Sequence, residues 1–270
     1  MKDYAFDDFK NDFCEEENYF DDEDELSFAY TLSKAFSGDM EYINLLGQIY
    51  SSRGYGVKVD CFKAAFWYNR ALKAGDTLAA ARLADLYCEK ERDGFPADLL
   101  KAFKFYEVAA NAGDVYSSAR LGIMYAHGLG CAADKAKARK FIAFAAEKND
   151  REACYEYAHI LREEGADNWA EYLKSSAYMS YGKACIEVVK LFGDGLEDMK
   201  YILYLTHAAN DYSFGYDPTE AQLKLAFCFL NGEHTHKNLK YAESCFTDAA
   251  EGGSIEAKEA LKKYFNIDFN

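Results

Sequence analysis

Few residues in this chain have the type and spacing to do chemistry. Ser180 and Lys183 match Ser-x-x-Lys, in which the lysine amine could take the proton of a nucleophilic serine. The companion motifs of such a nucleophile are absent, Gly182 falls at a helix junction, and a match this short arises by chance. His234-Thr235-His236 sets two imidazoles two apart, a start for a metal site once a third ligand arrives. The adjacent Glu233 cannot point the same way, so a solvated loop is the preferred reading. Eight cysteines, at 14, 61, 88, 131, 154, 185, 228 and 245, show neither CxxC nor a fixed spacing and read as reduced, buried, small hydrophobes. Cys228 and Cys245 fall on the two helices of one repeat and are candidates to face each other. No phosphate-binding loop, zinc-ligand set or nucleotide fingerprint is present. The residues therefore predict no catalytic group, no cofactor, no metal and no enzyme.

Composition narrows the partners. The 270 residues are half hydrophobic, enough for a well-buried core. Only Pro96 and Pro218 interrupt it, which suits long helices. With 31 basic and 46 acidic residues the net charge is −15, which repels nucleic-acid phosphates and anionic lipid. No stretch approaches the roughly 18 apolar residues of a membrane helix. The first residues lack the apolar core of an export signal, so a cytoplasmic protein is expected.

The acidity is uneven: residues 1–25 hold twelve Asp or Glu against two Lys. There Tyr4, Phe6, Phe9, Phe13, Tyr19 and Phe20 alternate with carboxylates. Phe6, Phe9 and Phe13 have the spacing of a short amphipathic helix capping the first repeat. The alternative is a segment that binds a basic partner.

The elements that must position any site come from an internal repeat. A large residue, a small one, and an aromatic or apolar residue three further on recur as Leu46-Gly47…Tyr50, Leu83-Ala84…Tyr87, Leu121-Gly122…Tyr125, Tyr157-Ala158…Leu161, Val188-Val189…Phe192 and Leu225-Ala226…Phe229. Interleaved are alanines seven apart, at 64/71, 102/109, 138/145, 170/177 and 242/249, with Tyr201/Ala208 in the fifth copy. Seven residues are about two helical turns, so each pair shares a face on which another helix can come close. Gly75-Asp76, Gly113-Asp114 and Asn149-Asp150 follow the second alanine at a constant offset, and Gly38-Asp39 matches one unit earlier. Gly or Asn takes the left-handed conformation that ends a helix, and Asp caps the next one. Each unit is thus a helix, a loop and a second helix.

The first copy reads Leu46-Gly47-x-x-Tyr50…Gly54-x-Gly56-Val57-x-x-Asp60-x-x-Lys63-Ala64-x-x-Trp67-Tyr68-x-x-Ala71…Gly75, and the third repeats Gly128-x-Gly130…Asp134-x-x-Lys137-Ala138. This resembles the Sel-one-like repeat, a relative of the tetratricopeptide repeat, over about residues 26–265. The resemblance implies an all-α, right-handed superhelical solenoid of about six helix pairs with capping helices, on residues 26–270 behind the 1–25 segment. The second copy departs from the pattern with Glu91-Arg92-Asp93-Gly94-Phe95-Pro96. The fourth and fifth copies have short loops and are expected to turn over more tightly. An aromatic insertion, Tyr212 to Pro218, is either a standing-out contact loop or a segment packed on its own repeat. Residues 26–37 and 255–265 have the phase of half-repeat caps, the latter made polar by Lys262 and Lys263.

If tetratricopeptide geometry carries over, the concave groove is lined two and five residues before the large anchor residue and two, five and six after it. Those offsets select Asn44, Gln48, Asp85, Glu89, His127, Tyr155, His159, Arg162, Lys190 and Phe227, with Leu223 and Leu230. A groove graded from acidic through basic to apolar suits an extended peptide or a helix of a protein partner. The expected function is a non-enzymatic interaction scaffold or regulator. The alternatives are an immunity or inhibitor protein that sequesters a basic toxin or effector and, last, a β-lactam-binding hydrolase.

Overall fold

The structure, a computed structural model, describes residues 4–9, 12, 22–52, 57–89, 94–213 and 215–269, with side chains from residue 27 on in the first helix. Phe13, Cys14, Tyr19, Phe20, Gly54, Gly56, Glu91-Arg92-Asp93 and Phe214 lie outside the described residues. Among the described residues there are fourteen α-helices and no strand. After α1 (Asp22–Phe36) come α2 (Met40–Ser51) and α3 (Cys61–Lys73), α4 (Leu78–Cys88) and α5 (Leu99–Asn111), then α6 (Val115–His127) and α7 (Lys135–Glu147). They are followed by α8 (Arg151–Glu163) and α9 (Trp169–Tyr178), α10 (Gly182–Phe192) and α11 (Asp198–Ala209), α12 (Thr219–Asn231) and α13 (Leu239–Glu251), and α14 (Ile255–Ala260). These are the six helix pairs and two flanking helices that the repeat phase predicts. They group into two compact units, Met1–Phe144 and Ala145–Asn270.

In the first unit the repeated residues have visible work. Gly47 on α2 lies against Tyr68 of α3; a Cβ there would stand 2.3 Å from the ring. Gly122 on α6 faces Ile142 of α7 in the same way, at 2.6 Å. The alanines of the sevenfold pattern, such as Ala64, Ala71, Ala102 and Ala109, are wholly buried. The Asp-x-x-Lys spacing does two things. Asp60, Asp98 and Asp134 each cap a second helix, accepting from the backbone N–H of Lys63, Lys101 and Lys137 at 3.0 Å. Each lysine then lies over the anchor tyrosine of the preceding helix: Lys101 5.0 Å from the Tyr87 ring, Lys137 5.0 Å from Tyr125, and Lys63 5.7 Å from Tyr50.

The described part of the acidic segment is held by this unit. Residues Phe6–Asp8 form one 3-10 turn rather than the amphipathic α-helix expected. The Ala5 N–H donates to the Asp8 carboxylate at 2.7 Å, which closes the turn. Phe9 then enters the core, fully buried against Phe36, Tyr50, Phe66 and Trp67. Asp12 accepts from the Tyr50 hydroxyl at 2.7 Å and pairs with Lys63.

In the second unit the links between paired helices are short, residues 164–168 and 193–197, as the loop spacing predicts. Between α9 and α10 the left-handed position falls to Ser180, with φ 62°. The insertion is divided. Tyr212 is 73% exposed, while the Tyr216 ring packs on Gly182, whose added Cβ would meet it at 2.8 Å. Asp211 ties the insertion down by accepting from the Gly182 N–H at 2.7 Å and the Ser213 N–H at 2.9 Å. At the end, α14 runs into a π turn, Leu261–Phe265, with Leu261 buried and Lys262 and Lys263 exposed.

Candidate functional site

On the first helices of the first unit, two of the residues picked by the groove offsets, Asn44 and Asp85, are committed to neighbours. The Asn44 amide donates to the Asp76 carboxylate at 2.7 Å and to the Met40 carbonyl at 3.2 Å. Asp85 Oδ1 accepts from the hydroxyls of Tyr106, at 2.6 Å, and Tyr116, at 2.9 Å. Burial pushes the Asp85 carboxyl above the usual carboxylate range, and the two phenol bonds oppose that only in part. Gln48 is half-buried on α2, Glu89 is exposed just past α4, and His127 is exposed in the last turn of α6.

The second unit brings its selected residues together. His159 on α8 meets Glu187 on α10, Nε2 to Oε2 at 3.0 Å, and Arg162 reaches the other carboxylate oxygen at 3.5 Å. The Tyr155 ring stands edge-on to His159 with centroids 4.6 Å apart. The bond to Glu187 raises the His159 pKa, and the same bond holds the Glu187 carboxyl below its ordinary value. Arg162 also lies over the Trp169 ring at 4.9 Å. Lys190 pairs with Glu220 on α12 at 2.6 Å. Farther along α12, Leu223 and Phe227 are half-buried and Leu230 is buried; Phe227 packs edge-on against Phe246 at 5.1 Å. Those three serve the core as much as any surface.

Tyr155, Tyr216 and the α10 residues Lys183, Ile186, Glu187, Lys190 and Leu191 border an open cavity of about 400 Å³. Sequence reasoning did not select Glu187, Lys183, Ile186 or Glu220, and reached Tyr216 only through the insertion Tyr212 to Pro218. The spacing did carry a signal for three: the offset of five before Val188 and Leu225 lands on Lys183 and Glu220, and two before Val188 on Ile186. Glu187 sits one position before the anchor and Tyr216 belongs to the insertion, so no offset selects them. A second cavity of about 460 Å³ lies beside the turn Gly193–Gly195, bordered by Lys174, Tyr201 and His234.

The remaining reactive types have structural partners. The Ser180 hydroxyl lies 3.0 Å from His207 Nδ1, and none of its described contacts is with Lys183. His234 stacks on Tyr201 at 4.0 Å and meets Asp198 at 2.6 Å. Among the described residues no group of three or more His, Cys, Asp or Glu is placed to hold a metal ion. Cys228 and Cys245 are free buried thiols. Burial pushes both up to about 11, and Cys185 to about 12, which leaves little thiolate at neutral pH. No described helix is long and apolar enough to cross a membrane.

A family model described as the Sel1 repeat matches residues 41–76, 77–114, 115–150 and 219–254. These are the first, second, third and sixth helix pairs; the two short-looped copies fall outside the match. No curated protein matches the chain. Among solved structures, a Sel1 repeat protein from Oxalobacter formigenes is similar with TM-score 0.71 and 22% identity, over 88% of this chain and 69% of that one. The protective antigen c5321 of uropathogenic Escherichia coli, described as an SLR fold, is similar with TM-score 0.56 and 20% identity. That match covers 92% of this chain but only 62% of the antigen, so this chain spans less than two thirds of its length. The immunity protein Pa5087 of Pseudomonas aeruginosa is similar with TM-score 0.52 and 15% identity, over 85% of this chain and 89% of that one. At these identities the likeness is one of fold.

Proposed function

This chain belongs to the Sel1 repeat family, whose model covers more than half of it, and from that premise we propose that it is a non-enzymatic interaction protein holding a segment of a protein partner along the first helices of its pairs. Sel1 repeats are a protein-interaction scaffold and generally non-catalytic. The observation that carries the site is the second-unit cluster. His159 and Arg162 on α8, selected by groove offsets, meet Glu187 on α10, and Tyr155 and Lys190, selected the same way, border a cavity with Glu187. Polar side chains fixed by one another, beside a concavity, offer a partner backbone preorganised donors.

Affinity capture tests this with the full chain beside His159→Ala/Arg162→Ala, each read by mass spectrometry. A partner that the parent chain retains and the double variant loses supports the placement. Identical captured sets would remove the site from this face.

A second reading is favoured by the charge. A net −15, with an immunity protein among the structures of similar fold, suits a protein that sequesters a basic toxin or effector. This reading predicts one dominant basic partner whose association rate falls steeply with salt. A general scaffold predicts several partners with weaker salt dependence.

A further inference from the structure

The first helix pair binds a carboxylate from outside the repeat. Asp12 accepts from the Tyr50 hydroxyl at 2.7 Å and, through the same oxygen, pairs with the Lys63 amine. Lys63 is thereby covered, with its side chain only 12% exposed. The second and third pairs rebuild both donors. Lys101 lies over Tyr87 and Lys137 over Tyr125, each 5.0 Å from the ring, as Lys63 lies over Tyr50. There the lysines stay open, 53% and 56% exposed. Each meets the aspartate that caps its own helix, Asp98 at 3.1 Å and Asp134 at 3.8 Å. Neither tyrosine hydroxyl has a hydrogen-bond partner among the described residues, and neither is sealed from water as the Tyr216 hydroxyl is. The sixth pair offers neither donor: Phe229 stands in the tyrosine position and Tyr241 in that of the lysine, and their rings pack together at 4.9 Å.

We propose that Tyr87 with Lys101, and Tyr125 with Lys137, are two further carboxylate seats, which take aspartate or glutamate side chains from an acidic segment of a protein partner as Tyr50 and Lys63 take Asp12. A phenol O–H and an ammonium converging on one oxygen give charge-assisted bonds. The exposed pairs with Asp98 and Asp134 are weak enough to be exchanged for them. Lys63 shows that exchange, since it gives its amine to Asp12 while Asp60 keeps the helix cap. The surrounding charge suits an acidic ligand: α3, α5 and α7 carry nine Lys or Arg against two Asp or Glu, in a chain of net −15. No ring accompanies the carboxylate at these seats. Phe9, which enters beside Asp12, packs on both Tyr50 and Trp67. At the equivalent of Trp67, Phe105 and Phe141 stack directly on Tyr87 and Tyr125, at 5.9 and 6.0 Å. The seats use none of the groove residues, so the two proposals stand or fall separately.

The test is an NMR titration of the full chain at low salt with acetyl-Gly-Asp-Glu-Asp-Gly-amide and its neutral counterpart acetyl-Gly-Asn-Gln-Asn-Gly-amide. The acidic peptide is expected to bind at least about tenfold more tightly. Lys101→Met/Lys137→Met should weaken it about tenfold or more, and Tyr87→Phe/Tyr125→Phe about threefold. Methionine and phenylalanine keep the apolar contacts, so both variants should melt close to the parent; should one unfold, the other still decides. Lys104→Met/Lys140→Met removes as much charge from the same two helices, and should change binding by less than about twofold. Equal binding of the two peptides, tyrosine variants that bind like the parent, or equal losses from the two lysine pairs would overturn the proposal, the last because it signals diffuse attraction to a basic surface. Three other occupants would also overturn it: anionic vesicles or a short single-stranded DNA that bind where the peptide does not, and self-association of the parent chain in sedimentation that Lys101→Met/Lys137→Met abolishes.

Discussion

Asp85 shows how one side chain can satisfy a spacing rule and still belong to the interior. Its position marks it for the groove, yet both phenols of Tyr106 and Tyr116 donate to it. Asp85→Asn keeps an acceptor oxygen in place, so it is expected to shift stability by no more than about 1 kcal/mol; Asp85→Ala strands the buried Tyr106 hydroxyl and should cost about 1–3 kcal/mol in urea unfolding. The His159–Glu187 pair makes a prediction in pH. His159 is raised above its ordinary 6.5, so its contribution is complete below that value and fades as pH climbs through the folded pKa. Glu187 is lowered below 4.5, so its contribution is complete above that value and fades as pH falls through the folded pKa. The pair therefore stabilises most between pH 4.5 and 6.5. The stability gap between the parent and His159→Gln should peak there; a gap that is flat from pH 4 to 9 would refute the coupling. Thiol labelling of the native chain gives a third check at this scale. Cys88 and Cys131 are partly exposed and should react first, while buried Cys61, Cys154, Cys185, Cys228 and Cys245 should wait for unfolding.

Between helices, the connections carry the repeat. Gly75 and Gly113 sit at φ +100° and +93°, and an added Cβ at either would touch nothing. Substitution by alanine there strains only the backbone and should cost about 1–2 kcal/mol. Gly47→Ala fails for the opposite reason: its backbone is ordinary, but the Tyr68 ring fills the space. Comparing the three by thermal unfolding, with Tyr68→Ala as a rescue for Gly47→Ala alone, separates the mechanisms. These contacts explain why the helix pairs are legible in the sequence. Caps, left-handed turns and small-against-large packing act over short stretches and leave fixed spacings. The cavity is legible only in part. Tyr155, His159, Arg162 and Lys190 obey an offset, but Glu187, which meets His159 and Arg162, does not, and Tyr216 arrives from an insertion that no period describes. The expected N-terminal amphipathic helix gives way because aromatic spacing cannot tell an α-turn from the 3-10 turn that Asp8 closes.

For the chain as a whole, charge and fold point to separate properties. The succession of paired helices comes from the repeat, whereas the net −15 bears on encounter rates. If a basic partner is the biological one, its association rate should fall by about tenfold or more when salt rises enough to shorten the screening length from about 10 Å to 3 Å. A salt-independent rate would leave the acidity without a role in binding. The anchoring of Phe9 beneath Trp67 has a consequence in time. Once Phe9 is synthesised, its docking site on α3 does not exist until nearly sixty more residues have been added. At ribosomal speeds that interval is roughly 3–12 s. Through it a stretch bearing Tyr4, Phe6 and Phe9 must wait in water beside a growing chain, and the neighbouring Asp7, Asp8 and Asp12 keep it from sticking in the meantime. One of those carboxylates, Asp12, clasps Lys63 once the site has been made.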